Sequence, residues 1–159
     1  MKKLWILLGL LGMLAGCGAE ETFETIAPVM EAEKPKTISV DLPEEAILPA
    51  MDCPGGQLYF CNHGEIAVQT LASTDWNQTA RELTGYEAEN LAMVETGTEN
   101  LPRREFTWIT AGERGDRVGR AAVISDGTHH YCLSVLADAE LAGDLAQIWN
   151  GMFESFAVK

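Results

Sequence analysis

The chain has 159 residues, enough for one domain, and its 24 acidic and 11 basic side chains give a formal net charge of −13 at pH 7. This charge argues against nucleic acids and anionic lipid headgroups as partners, because phosphate groups would be repelled. It is compatible with a solvated acidic surface, with cationic partners, or with no electrostatic partner.

The N-terminus has the features of a bacterial secretory signal. Two lysines precede an unbroken run of apolar residues and glycines from Leu4 to Leu14. The run is too short to span a bilayer comfortably. It leads into a Leu-Ala-Gly-Cys tetrapeptide that ends at Cys17 and resembles the lipobox of bacterial lipoproteins, whereas a plain signal needs no cysteine there. The resemblance implies removal of residues 1–16, a diacylglycerol anchor on Cys17, and a location on the extracytoplasmic face of the cell membrane.

The segment after this cysteine differs in composition from the rest of the chain. Removal of the signal leaves 9 basic and 24 acidic side chains, a net charge of −15. Residues 17–36 carry five glutamates and two prolines but few bulky apolar side chains. Such a segment cannot bury enough surface to fold by itself. We therefore expect an acidic, flexible tether, followed by a single domain at residues 37–159.

The first half of this domain alternates β-prone runs with one helix. The predicted strands are Thr37–Leu42, Leu58–Cys61, Glu65–Leu71 and Leu91–Thr96. Thr74 can cap a helix that runs to Leu83, with Asp75 in its first turn, and Gly85 is a natural helix stop. We expect the polar stretch Gly97–Arg104 to be a loop.

The second half begins with three β-prone runs, Phe106–Ala111, Val118–Ser125 and Tyr131–Leu136. Residues 112–115 form a predicted turn, and Asp126-Gly127 is typical of a two-residue type I′ hairpin, because both turn positions need positive φ. This hairpin sets a register with Ala122 opposite Tyr131, Ala121 opposite Cys132 and Val118 opposite Val135. Both faces carry apolar residues, so we expect both to be covered.

An amphipathic helix followed by a terminal strand is predicted to close the chain. The helix begins near Asp138, a favourable N-cap, with Glu140 in the first turn where the helix dipole favours an anion. Six apolar residues recur at helical period: Leu141, Leu145, Ile148, Trp149, Met152 and Phe153. Such a stripe either packs on the protein's own sheet or binds a partner, and packing is the usual outcome in soluble domains.

The element order predicts an α+β domain with a mainly antiparallel sheet covered by helices. Its shared features with the PsbP/Mog1-like fold are a helix carrying Trp76 and ending at Thr84-Gly85-Tyr86, a strand with Trp108, the Asp126-Gly127 hairpin and a closing helix ending in Ser155-Phe156. Residues 57–158 resemble that fold, and the chain also resembles small lipoproteins of gut Firmicutes. The resemblance implies a non-catalytic binding or accessory module. No binding-site residue of that family has a match here.

Three cysteines remain after Cys17, namely Cys53, Cys61 and Cys132. An odd count outside the cell is compatible with one disulfide and one free thiol, or with no disulfide. Cys53 and Cys61 flank a turn and could bridge locally, and Cys61 and Cys132 could bridge if their strands are neighbours. The alternative is three small, buried apolar side chains. Spacing does not decide between these, because a bridge requires a defined Cα separation.

A metal site is a further hypothesis. Cys61 and His63 are two residues apart, as are His130 and Cys132, so each pair lies on one side of a strand. If the strands pair, four ligands could converge on a tetrahedral Zn²⁺. Both histidines, however, fall near predicted turns, and zinc ligands usually have two to four residues between them. Apart from the lipid on Cys17, we therefore expect no cofactor.

No nucleophile triad, phosphate-binding loop or metalloprotease motif is present in the sequence, and no pair of acids is evidently arranged for acid–base catalysis. We therefore expect a surface-tethered interaction or accessory module rather than an enzyme. The second hypothesis is a lipoprotein that binds a metal or a small ligand. Metal analysis of the purified protein, with a thiol count, separates the two.

Overall fold

The computed structural model describes residues 33–46, 49, 51–53, 55–61, 64–113 and 115–159. The predicted signal, Cys17 and most of the predicted tether lie outside the described residues. Glu33–Lys159 form one compact unit. Within the described ranges, no helix is long and apolar enough to cross a membrane.

The described domain contains nine strands, two helices and a short 3₁₀ turn at Ala88–Asn90. The strands are β1 (Ile38–Ser39), β2 (Met51–Cys53), β3 (Gly56–Cys61), β4 (Gly64–Leu71), β5 (Met93–Thr98), β6 (Leu101–Gly112), β7 (Gly115–Ser125), β8 (His130–Asp138) and β9 (Ala157–Val158). The helices are α1 (Trp76–Thr84) and α2 (Ala142–Ser155). Seven strands form one antiparallel sheet in the order β2-β3-β4-β8-β7-β6-β5, and β1 pairs separately with β9. The predicted α+β class with a mainly antiparallel sheet is confirmed.

The predicted loop Gly97–Arg104 is wrong, because most of it belongs to the β5–β6 hairpin, whose turn is only two residues long. The polar side chains that suggested a loop are paired on the two faces of the sheet. Arg103 pairs with Glu105 on one face, and Arg104 pairs with Glu95 on the other. This arrangement follows from strand geometry, which places neighbouring residues on opposite faces.

The β7–β8 connection is a four-residue loop, not the two-residue turn predicted at Asp126-Gly127. The Asp126 Oδ1 atom accepts hydrogen bonds from the backbone N–H groups of Thr128, at 2.9 Å, and His129, at 2.7 Å. This local bonding holds a wider loop than a type I′ turn. The register differs by two residues from the prediction, with Ala122 opposite Leu133, Ala121 opposite Ser134 and Val118 opposite Ala137. A shift of two keeps every side chain on its predicted face.

Helix α2 begins at Ala142 rather than near Asp138. Asp138 is the last residue of β8, where it lies opposite Arg117 and its Oδ1 atom is 3.7 Å from the Arg117 Nε. A turn then reverses the chain, with the Leu141 N–H donating to the Asp138 carbonyl at 2.9 Å. The favourable cap residue is therefore used in the sheet, and the helix starts one turn later without a side-chain cap.

One face of the sheet is covered by α2. Leu145, Trp149, Met152 and Phe153 of the predicted stripe are buried, and they pack in one cluster with sheet residues such as Leu133. The two remaining stripe residues, Leu141 and Ile148, are respectively 36% and 41% exposed at the margin of the contact. The hypothesis that this helix packs on its own sheet is confirmed for the four buried residues.

The opposite face is covered in part by α1. Asp75, not Thr74, is its N-cap, with Oδ1 accepting from the Asn77 N–H at 2.8 Å, and Gly85 ends the helix with a φ of +80° as predicted. Apolar residues of α1 and the adjoining loops pack on Phe106, Trp108, Ala121, Val123 and Cys132. Each face therefore has its own core, as the apolar residues on both faces predicted.

The first described strand is shorter than predicted, since Ile38–Ser39 replaces Thr37–Leu42. Hydrogen bonds of 2.9 Å in both directions between Thr37 and Lys159 extend its pairing with β9. Just before it, the backbone N–H of Lys36 donates to the Tyr131 hydroxyl at 2.8 Å. The chain thus joins the domain beside the first residues of β8.

Candidate binding surface at the sheet edge

The structure does not bring Cys61 together with His130 and Cys132, the three described members of the proposed zinc site. Cys61 lies at the end of β3 and packs in the core beneath α2. Cys132 and His130 lie on the α1 face, and Cys132 is opposite Gln69, five residues along β4 from the partner of Cys61. That offset is about 16 Å along the strand. His63 is outside the described residues, and the described part of the chain holds no group of three or more potential metal ligands.

His130 instead has a structural position between β8 and α1. It is completely buried, its Nδ1 lies 2.6 Å from the Thr79 Oγ1, and its ring centroid is 4.4 Å from that of Trp76. Burial and the nearby Arg104 guanidinium lower the pKa of His130, which favours the neutral ring. Among the described atoms, Nε2 has no hydrogen-bond partner. The residue fixes α1 to the sheet and is not placed to share a ligand with Cys61.

The three described cysteines are free thiols. Cys53 and Cys61 lie near opposite ends of β3, about 16 Å apart along the strand. Cys53 and Cys132 share one row across the sheet but are three strands apart, or about 14 Å. Both separations exceed the roughly 7 Å limit between the Cα atoms of a disulfide. Burial raises the pKa of the Cys132 thiol, as expected for a small apolar core residue.

Helix α2 covers only part of its face of the sheet and leaves residues of β5, β6 and β7 exposed. We call this surface the open strip, and it consists of Val94 and Thr96 on β5, Thr107 and Ile109 on β6, and Val118 on β7. The register places these residues on the same face as the core beneath α2. All five are β-branched and uncharged, and Val94 and Ile109 are 63% and 59% exposed. The five strip residues are thus uncharged, while charged residues stand directly opposite three of them on the same face: Glu105 opposite Val94, Arg103 opposite Thr96 and Arg120 opposite Thr107.

A charged cluster separates the open strip from α2. Glu105 accepts from Arg103 and Arg120 through its two oxygens, with N–O distances of 2.8 Å in each ion pair. Arg103 also donates to the carbonyls of Phe153, at 2.6 Å, and Phe156, at 3.1 Å. Arg120 lies over the Phe153 ring, 4.2 Å from its centroid. These contacts hold the C-terminal end of α2 on the sheet, where the helix dipole favours cations.

Strand β5 forms the outer limit of the open strip. It is an edge strand, and five of its six residues are exposed. Its single charged side chain, Glu95, points to the opposite face, where it is 60% exposed and its Oε2 lies 3.3 Å from the Arg104 Nε. Arg104 in turn covers the Trp76 ring at 4.0 Å. Edge strands are usually protected by lysine, proline or an inward-pointing charge, and the strip side of β5 has none of these.

Two shallow cavities adjoin the open strip. One, of about 330 Å³, is lined by Val94, Thr107 and Arg120 among others, and the second, of about 250 Å³, adds Arg103, Phe153 and Glu154. They share Thr96, Glu105 and Arg120, so they form one shallow depression between the sheet edge and α2. Its breadth suits a macromolecular segment better than a small enclosed ligand.

A smaller cleft lies on the other side of α2. Its lining includes Cys61, Ile66, Leu145, Ile148 and Trp149. Its volume of about 20 Å³ is close to the space needed by one water molecule. Burial, with a smaller effect of Glu45, raises the pKa of the Cys61 thiol. The cleft has little room for a captured solute.

The open strip is hard to recognise in the sequence, because the polar residues up to Arg104 indicate a loop rather than the start of β6. The relevant signal was the alternation that continues through Glu105, Thr107 and Ile109, which share one face of β6. The opposite edge of the sheet also exposes apolar residues, with Met51 and Phe60 respectively 53% and 56% exposed. Those two lie on the α1 face, so the two edges of the sheet differ in chemistry.

Comparison with known proteins gives a structural relative but no family. No protein family matches the sequence, and no curated protein matches it. The fold is similar to the crystal structure of LpqN of Mycobacterium tuberculosis, described as involved in cell envelope biogenesis. The match has a TM-score of 0.51 and 12% sequence identity, and it covers 82% of this chain and 87% of LpqN. At this identity the likeness shows a shared sheet-rich α+β fold, and the narrower PsbP/Mog1-like assignment stays a prediction.

Proposed function

We propose that this chain is a bacterial envelope lipoprotein, anchored through Cys17 on the extracytoplasmic face of the membrane, whose domain acts as a non-catalytic binding or accessory module. The observation that carries the proposal is the Leu-Ala-Gly-Cys tetrapeptide ending at Cys17, behind a charged start and a short apolar run. Each of these three features occurs in the order that lipoprotein signals require.

The structural relative supports the envelope setting. LpqN is described as involved in cell envelope biogenesis, and it shares the α+β fold over most of both chains. A common fold does not fix a function, so this support concerns the setting and not the activity.

The geometry of the domain favours a macromolecular partner. The open strip and the exposed edge of β5 form a broad, shallow surface, while the cleft beside Trp149 has room for about one water molecule. Cys61 lies on the opposite face of the sheet from His130 and Cys132, so the described residues lend no support to the metal-binding alternative. A binding module therefore has more structural support than a carrier of a metal or small solute.

Fractionation of cells that produce Cys17→Ser tests the anchor. We expect the parent in washed membranes carrying a labelled fatty acid, and we expect the variant to lose both the label and membrane retention. Cys53→Ser, which changes a thiol in the folded domain, is the matched control and should keep both. A fatty-acid label that persists in Cys17→Ser would place the modification elsewhere and contradict the proposal.

A further inference from the structure

We infer that the β5 edge binds an extended, basic polypeptide segment of a partner, which adds to the sheet as an eighth strand beside the open strip. The inference rests on the proposed function, because it names the partner of the proposed binding module. In such a segment, β-branched residues would face the α2 side and basic residues would face the α1 side.

The backbone of β5 supplies the first part of the argument. Its inner side pairs with β6 from Met93–Phe106 to Thr98–Leu101, and it is the last strand of the described sheet. An edge strand presents alternate N–H and C=O groups outward, and an extended segment can satisfy them by strand addition. Gly97, with a φ of +89°, interrupts regular strand geometry, so Met93–Thr96 is the usable stretch.

The side chains of β5 specify what an added strand would carry on the α2 side. Val94 and Thr96 are exposed there, and their direct partners on β6 are Glu105 and Arg103, which form an ion pair with each other. The uncharged Thr107 lies diagonally from Val94 on the same face. Residues directly opposite each other on neighbouring strands interact, and β-branched side chains suit such a surface. A segment with β-branched residues at alternate positions would therefore cover Val94 and extend the open strip.

Charge determines the other side of the added strand. Glu95 lies between Val94 and Thr96 in sequence, so it projects from the α1 face, where it is 60% exposed. Its one described ion pair is the 3.3 Å contact with Arg104, which is also engaged with Trp76. A lysine or arginine directly opposite Glu95 would form a favourable cross-strand pair. The net charge of −13 attracts a basic segment from a distance and disfavours a second copy of this acidic chain.

Binding of a defined peptide to the full-length protein in detergent tests the inference. The probe is a fluorescent heptapeptide, Lys-Val-Lys-Ile-Lys-Thr-Lys, and its control has the same composition without alternation, Lys-Lys-Val-Ile-Thr-Lys-Lys. Fluorescence anisotropy should give at least about tenfold tighter binding for the alternating peptide, a difference that a few good cross-strand contacts can supply. Equal binding of both peptides would show attraction by charge alone and overturn the inference.

Matched variants locate the binding. Val94→Lys and Glu95→Lys should each lower the affinity for the alternating peptide by about tenfold, because each places a lysine on β5, the strand that the peptide is expected to contact. Met51→Lys makes the same change at an exposed residue of the opposite edge strand and should leave the affinity unchanged. Circular dichroism melts confirm that each variant is folded. Full affinity in Val94→Lys, or an equal loss in Met51→Lys, would overturn the assignment to β5.

Two further outcomes have defined meanings. A concentration-dependent dimer that Val94→Lys abolishes would assign the edge to a second copy and overturn the inference. Peptide binding does not require the lipid, so a specific peptide complex with an unmodified Cys17 would contradict only the proposed anchor. A lipidated Cys17 without specific peptide binding would contradict only the inference.

Discussion

Thr79 Oγ1 lies 2.6 Å from His130 Nδ1, and this contact joins α1 to β8 in a fully buried site. Burial, followed by the nearby Arg104, lowers the pKa of His130 in the folded protein. The unfolded chain then binds the proton more readily, so the free energy of unfolding should fall as the pH drops below about 6.5. The loss cannot exceed about 1.4 kcal/mol per pH unit for one such group.

Urea unfolding of the parent and His130→Gln at pH 8, 7, 6 and 5 measures this effect. The parent should lose stability between pH 7 and pH 5, and the variant should lose less over the same interval. His129→Gln, which changes the neighbouring, partly exposed histidine, is the matched control. A parallel pH dependence of the parent and His130→Gln would show that this histidine does not cause the loss.

Trp149 is expected to contribute strongly to the stability of the domain even when no partner is present. It is 8% exposed and packs with Leu145 and Met152 beneath α2, so Trp149→Ala should lower the free energy of unfolding by about 3–5 kcal/mol. Ile148→Ala, at a residue 41% exposed on the same helix, should cost less than about 1.5 kcal/mol. Denaturant unfolding without any partner checks both values. Nearly equal stability of the two variants would contradict packing of the stripe.

Arg103 should stabilise the end of α2 through charge-assisted hydrogen bonds. It donates to the Phe153 and Phe156 carbonyls and pairs with Glu105, and its side chain is mostly buried. Arg103→Met keeps much of the aliphatic volume but removes these donors, so we expect a loss of about 1.5–3 kcal/mol. Arg81→Met, at an exposed ion pair with Glu87, should change the melting temperature little. Equal melting temperatures for the two variants would contradict this role.

Gly119 is expected to be required for the position of Trp108. The indole ring lies directly over this glycine on the neighbouring strand, and an added methyl group would overlap the ring. Gly119→Ala should therefore shift the tryptophan fluorescence and lower the melting temperature. Gly151→Ala, in the middle of α2 with no atom near the added methyl, should instead stabilise the domain by about 0.5–1 kcal/mol. An unchanged fluorescence spectrum in Gly119→Ala would contradict the close contact.

Local patterns in the sequence predicted the element types better than the details that depend on tertiary pairing. The stripe of Leu145, Trp149, Met152 and Phe153 identified the closing helix, because helical period is set within one segment. The predicted start of that helix was wrong, because Asp138 lies in β8 opposite Arg117. A rule for helix caps considers only neighbouring residues and does not include such a pairing between strands.

The candidate binding surface depended even more on long-range pairing. Val94, Thr107 and Ile109 share one face of the sheet only through the register of β5, β6 and β7, whereas the polar composition of Gly97–Arg104 indicates a loop. Cys61 and Cys132 do not share the proposed metal site for a similar reason, since the paired strands place them on different faces of the sheet. Residue spacing within a strand defines a face but not which strands are neighbours.

The mass of the N-terminal peptide from membrane-isolated protein tests the central claim, the lipid anchor, most directly. We expect a peptide that begins at Cys17, lacks residues 1–16, and carries the added mass of a diacylglycerol group on the cysteine. Release of the ester-linked acyl chains by mild alkali should reduce that mass by two fatty acids. An N-terminal peptide that begins at another residue, or an unmodified Cys17 in the membrane-associated protein, would contradict the account.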